Sequence, residues 1–317
     1  DDTFEAWEEK DNILPAALET VRSTAPDGKL YCLPEYVTMD ISWCNTTLLE
    51  EKGLEPPKTI DEFMQYCEDL ADPTNGTYFF SLRGGAGSME ALFDFLFTYA
   101  GEDSLFDEEG NCVINGDKFV EGLELYASIY WNGWTSNDSV TNDFKKIVAE
   151  FGSGTSMYIM HNSSSLPEHQ KNLGEGNFTN VLAPANENGE VVTKALSFCG
   201  FGMFNASQNV EGAKALTTYL CSADAASYHC EIEGRIPVNT GIYDDEWYQN
   251  DPCIGVYQEM MENENVKWLE HAIWLPSWNE FRSKLQEPDL QAVLLKEKTA
   301  KEVLDSWAEY LTAAQKE

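Results

Sequence analysis

The stretch LEEKGLEPPKTIDEF, residues 49–63, decides how the chain is organised. Gly53 suits the left-handed cap that ends a short preceding helix. The two adjacent prolines then stop any helix, because each proline fixes φ and lacks a backbone donor. Thr59 offers an N-cap oxygen and Glu62 follows three residues later, which is the pattern of a capping box. The stretch therefore predicts a helix end, a stiff turn and a helix start, and by itself it indicates no chemistry.

Composition limits the classes of protein that fit. The chain has 317 residues, enough for one large domain or two ordinary domains. Its 43% hydrophobic and 12% aromatic content can fill real cores and is unlike that of a disordered chain. The formal net charge of -35 repels nucleic acid and anionic lipid, so we expect no nucleic-acid partner. No apolar run reaches the roughly 20 residues that a membrane-spanning helix needs.

The eight cysteines are dispersed along the chain, and neither a C-x-x-C pair nor zinc-ligand spacing occurs among them. We therefore expect free, mostly buried thiols and no metal or cofactor, which suits a reducing or anaerobic setting. One disulfide, for instance between Cys221 and Cys230, stays open as an alternative. The chain starts without Met or a signal peptide, which predicts a mature form or a fragment.

Short strands alternate with helical periods along the chain. Residues 77–82 predict a strand, and residues 89–101 predict a strongly apolar helix that ends at Gly101. The C-terminal segment predicts a helix with Val303, Leu304 and Trp307 on its inward side. Strands that alternate with helices are typical of an α/β architecture, and they predict a mainly parallel sheet.

Catalytic signatures are missing from the sequence. It contains no G-x-S-x-G, no H-E-x-x-H and no Walker loop, and its carboxylates are so abundant that no pair stands out as an acid/base couple. We therefore expect no enzyme activity.

A glycine-rich segment follows the predicted strand and precedes the apolar helix. It reads LRGGAGSMEAL, residues 82–92, and it contains Arg83, Gly84 and Gly85. Glycines let a backbone approach a ligand, and a helix N-terminus offers free N–H groups. The segment fails the dinucleotide fingerprint because Glu90 occupies the last glycine position. A phosphate cradle, a tight turn and a ligand-facing loop remain open.

Aromatic residues near the polar ends of strands form a second candidate set. Sugars present flat C–H faces that stack on aromatic rings, while fixed polar groups take their hydroxyls. Taken singly, each ring is more often a core residue. The set consists of Tyr36, Trp43, Trp274, Trp278 and Phe281.

The order of segments resembles a known family. Residues 27–72, DGKLYCLPEYVTMDISWCNTTLLEEKGLEPPKTIDEFMQYCEDLAD, are similar to the central signature of the extracellular solute-binding proteins of carbohydrate ABC importers, the maltose-binding-protein class. The positions that fit are Asp27, Gly28, Lys29, Tyr31, Pro34, Asn45, Gly53, Leu54, Pro56, Pro57, Lys58, Thr59, Glu62 and Phe63. Cys44 departs from the tyrosine that usually precedes the asparagine.

The resemblance continues to the C-terminus. Residues 151–164, FGSGTSMYIMHNSS, match through Phe151, Gly154 and Met157, but His161 and Asn162 stand where the family often has an aromatic sugar platform. Residues 198–243 match a second crossing of the chain and its helices, and WLPSWNEFRSKL, residues 274–285, matches the last ligand segment.

The resemblance implies a two-lobe, periplasmic-binding-protein-like α/β fold of type II that lacks most of its N-terminal lobe. Residues 1–38 and 200–255 would be the remaining parts of that lobe, and residues 39–199 and 256–317 would form the C-terminal lobe. Closure of the two lobes about a hinge would enclose the ligand.

The resemblance also implies a function: a non-catalytic oligosaccharide receptor at the extracellular face of a bacterial membrane. It would be a lipid-anchored monomer that delivers its ligand to membrane permease subunits. A carbohydrate-active enzyme and a scaffold or adhesion protein without ligand are the alternatives. The predicted ligand-binding residues are Tyr36, Thr38, Arg83, Gly84, Gly85, His161, Asn162, Gly200, Arg235, Trp274, Trp278 and Phe281.

Overall fold

The structure, a computed structural model, describes residues 1–317 and divides into two compact units. Unit 1 consists of Asp1–Met39, Ser163–Pro167 and Leu196–Gln258, and unit 2 consists of Asp40–Asn162, Glu168–Ala195 and Glu259–Glu317. The assignment of these units to an N-terminal and a C-terminal lobe stays a prediction.

The two units contain nine strands and fifteen α-helices. The strands are β1 (Cys32–Thr38), β2 (Asp40–Cys44), β3 (Tyr78–Phe80), β4 (Ser156–Asn162), β5 (Thr179–Val181), β6 (Val191–Lys194), β7 (Ser197–Gly202), β8 (Ile236–Pro237) and β9 (Val266–Leu269). The helices are α1 (Asp2–Glu5), α2 (Pro15–Ser23), α3 (Thr46–Glu50), α4 (Ile60–Asp69), α5 (Met89–Ala100), α6 (Asp117–Trp131), α7 (Phe144–Gly152), α8 (Leu166–Leu173), α9 (Val210–Leu220), α10 (Ala223–Glu233), α11 (Glu246–Asn250), α12 (Pro252–Glu262), α13 (Trp278–Glu280), α14 (Glu287–Leu294) and α15 (Ala300–Lys316). Short 3-10 helices lie at Lys10–Asn12, Asn137–Val140, Ser163–Ser165 and Thr240–Ile242, and a π-helix spans Phe281–Gln286. None of the helices combines the length and apolar composition needed to cross a bilayer.

Unit 1 is built on a three-stranded antiparallel sheet in the order β7-β1-β8. The central strand β1 contains Pro34, which cannot donate a backbone hydrogen bond to a neighbouring strand. Proline inside a sheet is usually found at a bulge, and here the register with β7 shifts between Pro34 and Tyr36. Helices α2, α9 and α10 pack on this sheet.

Unit 2 contains a four-stranded sheet in the order β3-β4-β2-β5 and a separate parallel pair of β6 with β9. Its core is aromatic. The Phe63 ring meets Phe79, Phe80 and Tyr158 in edge-to-face contacts with centroids 5.1–5.7 Å apart. Such pairs add about 0.5–1.5 kcal/mol each beyond the burial of area.

The prediction of a mainly parallel sheet is wrong. Four of the six strand pairs are antiparallel, and only β3 with β4 and β6 with β9 run parallel. The alternation of strands and helices would fix parallel pairing only if consecutive strands were neighbours. In both larger sheets most neighbours come from segments far apart in the chain, so the helix that follows a strand does not decide its direction.

The local predictions for the opening stretch are confirmed, except that the reciprocal hydrogen bond of the capping box is absent. Helix α3 ends at Glu50, and Gly53 adopts φ +70°. The Thr59 hydroxyl accepts from the Glu62 backbone N–H at 3.2 Å, and α4 begins there. The Glu62 carboxylate reaches one residue beyond the N-cap, because it accepts from the Lys58 N–H at 2.7 Å.

Two longer helices also match the sequence predictions. Helix α5 ends at the left-handed Gly101. Helix α15 buries Val303, Leu304 and Trp307.

A buried histidine occupies an aromatic box in unit 2. The His169 ring is fully buried, lies 4.7 Å from both the Trp43 and the Phe151 ring centroids, and lies 5.7 Å from that of Phe178. Neither ring nitrogen has a hydrogen-bond partner. Burial lowers the pKa of His169 to about 3, so the ring is neutral in the folded protein at any ordinary pH.

Replacement of His169 by Phe should make the protein less sensitive to mild acid. Only the unfolded chain, with a histidine pKa near 6.5, takes up this proton between pH 7.5 and 5.5, so the native protein loses stability as the pH falls. The wild type should lose about 1.4 kcal/mol more than His169→Phe over this interval. Urea unfolding at the two pH values measures the difference, and an equal loss in both proteins would contradict the assignment.

Candidate functional site

Four polar or aromatic side chains meet beside the sheet of unit 1. The Arg235 guanidinium carbon lies 4.6 Å from the centroid of the Tyr36 ring, and the His229 ring meets the Tyr36 ring edge-on at 5.9 Å. His229 Nδ1 is 2.7 Å from Oε1 of Glu35, which is 1% exposed. Burial raises the pKa of the Glu35 carboxyl, although the His229 hydrogen bond opposes the shift. The sequence placed Tyr36 and Arg235 in one candidate site, and the structure brings them together.

The bulge in β1 explains this arrangement. In a regular strand Glu35 and Tyr36 would point to opposite faces of the sheet. The register shift between Pro34 and Tyr36 re-aims the side chains, as bulges do. Both residues therefore contact His229.

Unit 2 contains a cluster of acidic and basic side chains near the start of β2. Arg282, in the π-helix, forms a salt bridge with Glu90 in the first turn of α5. Arg83 instead folds back, and its Nε donates to the Ala86 carbonyl at 2.7 Å. The pKa of Asp40 is raised by burial, while the positive charges of Lys194, Arg83 and Arg282 oppose the shift.

Some polar atoms of this unit 2 cluster have no partner. They are Asp40 Oδ2, Glu90 Oε2 and His271 Nε2, and all three atoms are buried. A buried polar atom without a hydrogen bond costs about 1–3 kcal/mol. The cluster therefore has unused hydrogen-bonding capacity. No group of three or more His, Cys, Asp or Glu side chains in the structure could hold a metal ion.

His161 and Phe144 form a stacked pair in unit 2. Their ring centroids lie 5.0 Å apart at an interplanar angle of 22°, and Phe144 is 39% exposed. Burial lowers the pKa of His161 to about 4, so its ring is uncharged at neutral pH. The sequence left the aromatic platform near His161 and Asn162 in doubt. The exposed Phe144 ring, which the sequence analysis did not identify, is an aromatic surface at that place.

The three predicted glycines are approached closely by the chain itself. A Cβ at Gly200 would lie 2.0 Å from the Leu33 carbonyl oxygen, and one at Gly84 would lie 2.6 Å from that of Val140. The Gly85 site is similarly crowded by the backbone at residues 141 and 142. The N–H groups of Gly84 and Gly85 already donate to carbonyls at residues 139 and 142. The close approach of the neighbouring backbone therefore explains why these three positions are glycines. The amides of Gly84 and Gly85 do not form an open phosphate cradle.

The predicted aromatic residues lie in different environments. Trp278 is 3% exposed and stacks on Phe281 at 5.4 Å, and Phe281 is completely buried against Trp307. Trp274 is 54% exposed, and its Nε1 donates to Gln315 at 2.9 Å. The burial of Trp278 and Phe281 favours a structural role, and their contact with a ligand stays a prediction.

The sequence analysis missed six residues of the two polar sets: Glu35, His229, Asp40, Glu90, His271 and Arg282. A lone acid in the apolar run LPEYV was a usable signal for Glu35. Glu90 is indistinguishable from an ordinary first-turn acid, which is favourable at a helix N-terminus. Arg282 becomes significant only through its long-range partner, and no local pattern predicts it.

The comparisons with known proteins agree with this fold. The family model for bacterial extracellular solute-binding proteins matches residues 2–255. The chain therefore belongs to the family of bacterial extracellular solute-binding proteins.

Two related sequences are also named as binding proteins. The galactooligosaccharide-binding protein of Bacillus subtilis (strain 168) is 23% identical over 295 residues, which are 92% of this chain and 67% of that protein. A binding protein of Brucella abortus (strain 2308) is 22% identical over 260 residues, which are 80% of this chain. The chain spans 60% of the length of that relative.

Solved structures share the fold. Maltose-bound MalE3 of T. maritima has a TM-score of 0.82 at 20% identity, with 98% of this chain and 78% of that chain covered. An ABC transporter solute-binding protein of Thermotoga lettingae, bound with α-D-tagatose, has a TM-score of 0.84 at 18% identity, with 99% and 79% covered.

Replacement of Gly200 by Ala should destabilise unit 1. The new methyl group would collide with the Leu33 carbonyl of β1, and strain of this kind costs about 1–3 kcal/mol. Gly255→Ala, in helix α12 of the same unit, is the control because nothing lies within 4 Å of its added Cβ. This control should be neutral or stabilising by up to about 1 kcal/mol. Thermal and urea melts measure the free energy of unfolding of both variants. Equal values would contradict the claim that the backbone leaves no room for a Cβ at Gly200.

Replacement of Trp278 by Ala should cost about 3–5 kcal/mol of stability, because it leaves a cavity beside Phe281. Trp274→Ala is the matched control, since its ring is more than half exposed. We expect it to cost less than about 1 kcal/mol. A Trp278→Ala protein that melts like the wild type would show that this indole is not a core residue.

Proposed function

We propose that the protein is the non-catalytic carbohydrate receptor of an ABC importer, with an oligosaccharide as its ligand. The observation that carries the proposal is the family match over residues 2–255. The similarity to a galactooligosaccharide-binding protein along 92% of the chain supports a carbohydrate. The maltose and tagatose in the two similar structures support the same class of ligand.

The chemistry of the two polar sets fits sugar hydroxyls. A hydroxyl both donates and accepts, so it matches sites that offer carboxylates beside guanidinium groups. Unit 2 offers Asp40 and Glu90 as acceptors and Arg282 as a donor. In unit 1, the Tyr36 ring beside Arg235 offers an aromatic surface for a C–H face.

We infer further that the protein does not hydrolyse its ligand. Asp94, next to the unit 2 cluster, has structural partners, because it accepts from the Thr193 hydroxyl at 2.8 Å and from the Lys194 N–H at 2.9 Å. Glu90 is paired with Arg282. A glycosidase needs one free acid and one free base or nucleophile across the scissile bond, and these contacts favour binding over catalysis.

The family description supports a location outside the cell. We propose a lipid-anchored monomer at the extracellular face of a bacterial membrane, which passes its ligand to the permease subunits of the importer.

We propose that unit 1 is part of an N-terminal lobe that contains further polypeptide, and that unit 2 is the C-terminal lobe. Unit 1 has about a third of the residues but eight of the thirteen exposed large hydrophobic side chains. Helix α9 has no buried residue at all, although α-helices of folded domains normally bury one face. The chain also spans only 60% of a relative's length.

Isothermal titration calorimetry tests the proposal with maltose, galactooligosaccharides, fructooligosaccharides and tagatose. The gene product at its full natural length should bind at least one of them with a Kd in the micromolar range. Residues 1–317 should bind the same sugar more weakly if, as proposed, unit 1 is only part of the N-terminal lobe. Reducing ends should not accumulate in either sample. Sustained release of reducing ends would favour a hydrolase, and the absence of binding to any sugar would contradict the receptor.

Replacement of Tyr36 by Ala should weaken binding of that sugar by at least tenfold, which corresponds to about 1.4 kcal/mol. Stacking of a sugar face on the Tyr36 ring supplies a binding free energy of about this size. Because the ring is only half-buried, its loss should change the stability of unit 1 little. Tyr228→Ala is the control, since Tyr228 is 68% exposed in the same unit. Unchanged affinity in the Tyr36→Ala protein would show that Tyr36 does not contact the ligand.

A further inference from the structure

Unit 1 holds five of the eight cysteines, and Cys32 and Cys221 among them are free thiols. The three cysteines of unit 2 are buried. In unit 1, two cysteines from distant parts of the sequence approach the same backbone atom.

The carbonyl oxygen of Leu33 is that atom. Cys32 Sγ lies 3.8 Å from it, and Cys221 Sγ lies 3.5 Å from it. The two sulfur atoms therefore cannot be farther apart than the sum of these distances. Cys32 begins strand β1, and Cys221 caps the C-terminus of helix α9. The pair thus joins two elements that contact each other in the fold.

The two thiols differ in access. Cys32 is partly exposed and lines a cavity of about 310 Å³, whose other walls include Phe4, Phe201 and Met203. Cys221 is completely buried. A small reagent in the cavity would therefore reach Cys32 first, and Cys221 would be the second thiol to react.

We propose that Cys32 and Cys221 form a redox site that closes to an intramolecular disulfide when the protein meets a low-molecular-weight disulfide. This pairing differs from the Cys221–Cys230 alternative that the sequence left open.

The exchange proceeds in two steps. The Cys32 thiolate attacks one sulfur of the small disulfide, forms a mixed disulfide and releases one small thiolate, which takes up a proton. The Cys221 thiolate then attacks Cys32 Sγ, so that the mixed disulfide breaks and a second small thiolate leaves. Two protein thiols are oxidised by two electrons, and one small disulfide is reduced to two thiols.

The second step requires the sulfur atoms to approach to about 2.0 Å. Helix α9, which ends next to Cys221, buries none of its own residues, so little core packing opposes a small shift of the helix. Burial raises the pKa of both thiols, which makes the exchange slow at neutral pH and faster in mild alkali. Disulfides persist outside the cell, where members of this family act.

The test exposes the folded chain to hydroxyethyl disulfide at about pH 8.5, near the pKa of a free thiol. The sample is then quenched with acid, alkylated after unfolding and digested for mass spectrometry. We expect the loss of two of the eight thiols, a mass lower by two hydrogens with no retained reagent, and one linked peptide pair that contains Cys32 and Cys221. A reductant should restore all eight thiols.

Two serine variants sharpen the result. Cys221→Ser should stop after the first step and keep one reagent molecule on Cys32, whereas Cys230→Ser should form the same disulfide as the parent chain. A linked pair between other cysteines, or no reaction of Cys32 while the wild-type chain is folded, would overturn the proposal. The wild-type peptide map decides between these outcomes even where a variant folds poorly.

Discussion

The burial of helix α5 is the constraint on which unit 2 depends. Eight of its twelve residues are buried, including the polar Asp94 and Thr98. These two side chains bind the backbone of strand β6: Thr98 exchanges hydrogen bonds with Val192 at 2.8 and 2.9 Å, and Asp94 accepts from Lys194. An unpaired polar group at this depth would cost several kcal/mol. The helix is therefore fixed in position along β6.

This fixed position determines where the candidate binding groups lie. The same helix carries Glu90 in its first turn, directly after the loop that Arg83 folds over. Asp40, at the start of β2, and Arg282, in the π-helix, are the charged neighbours of this end of α5. Buried acceptors without partners are costly in the free protein, and hydroxyl donors of a ligand would remove that cost. A rigid set of such acceptors is what a receptor for polar ligands needs.

Local features of the fold could be predicted from the sequence, whereas long-range features could not. The caps at Gly53, Thr59 and Gly101 follow from residue types within one turn, and the structure has them there. The prediction of strand direction was wrong, because most neighbouring strands in the two larger sheets come from distant segments of the chain. The glycines near residues 84 and 200 were interpreted as ligand-facing, but the nearest atoms belong to remote parts of the same chain. For the candidate site, the sequence predicted Tyr36 and Arg235 as two of twelve ligand-binding residues, and the structure places them in contact. The significance of Glu90 and Arg282 depends on their contact with each other, which no local pattern predicts.

Hydrogen–deuterium exchange of the full-length protein, with and without a saturating oligosaccharide that it binds, tests the central claim most directly. The account predicts slower exchange at residues 83–90 and 280–284 of unit 2 when the sugar is bound, because its hydroxyls engage Glu90 and Arg282. The outer helix α15 should exchange equally in both samples. Protection confined to other segments of unit 2, or no protection at a saturating concentration, would contradict the claim that this polar cluster holds the ligand.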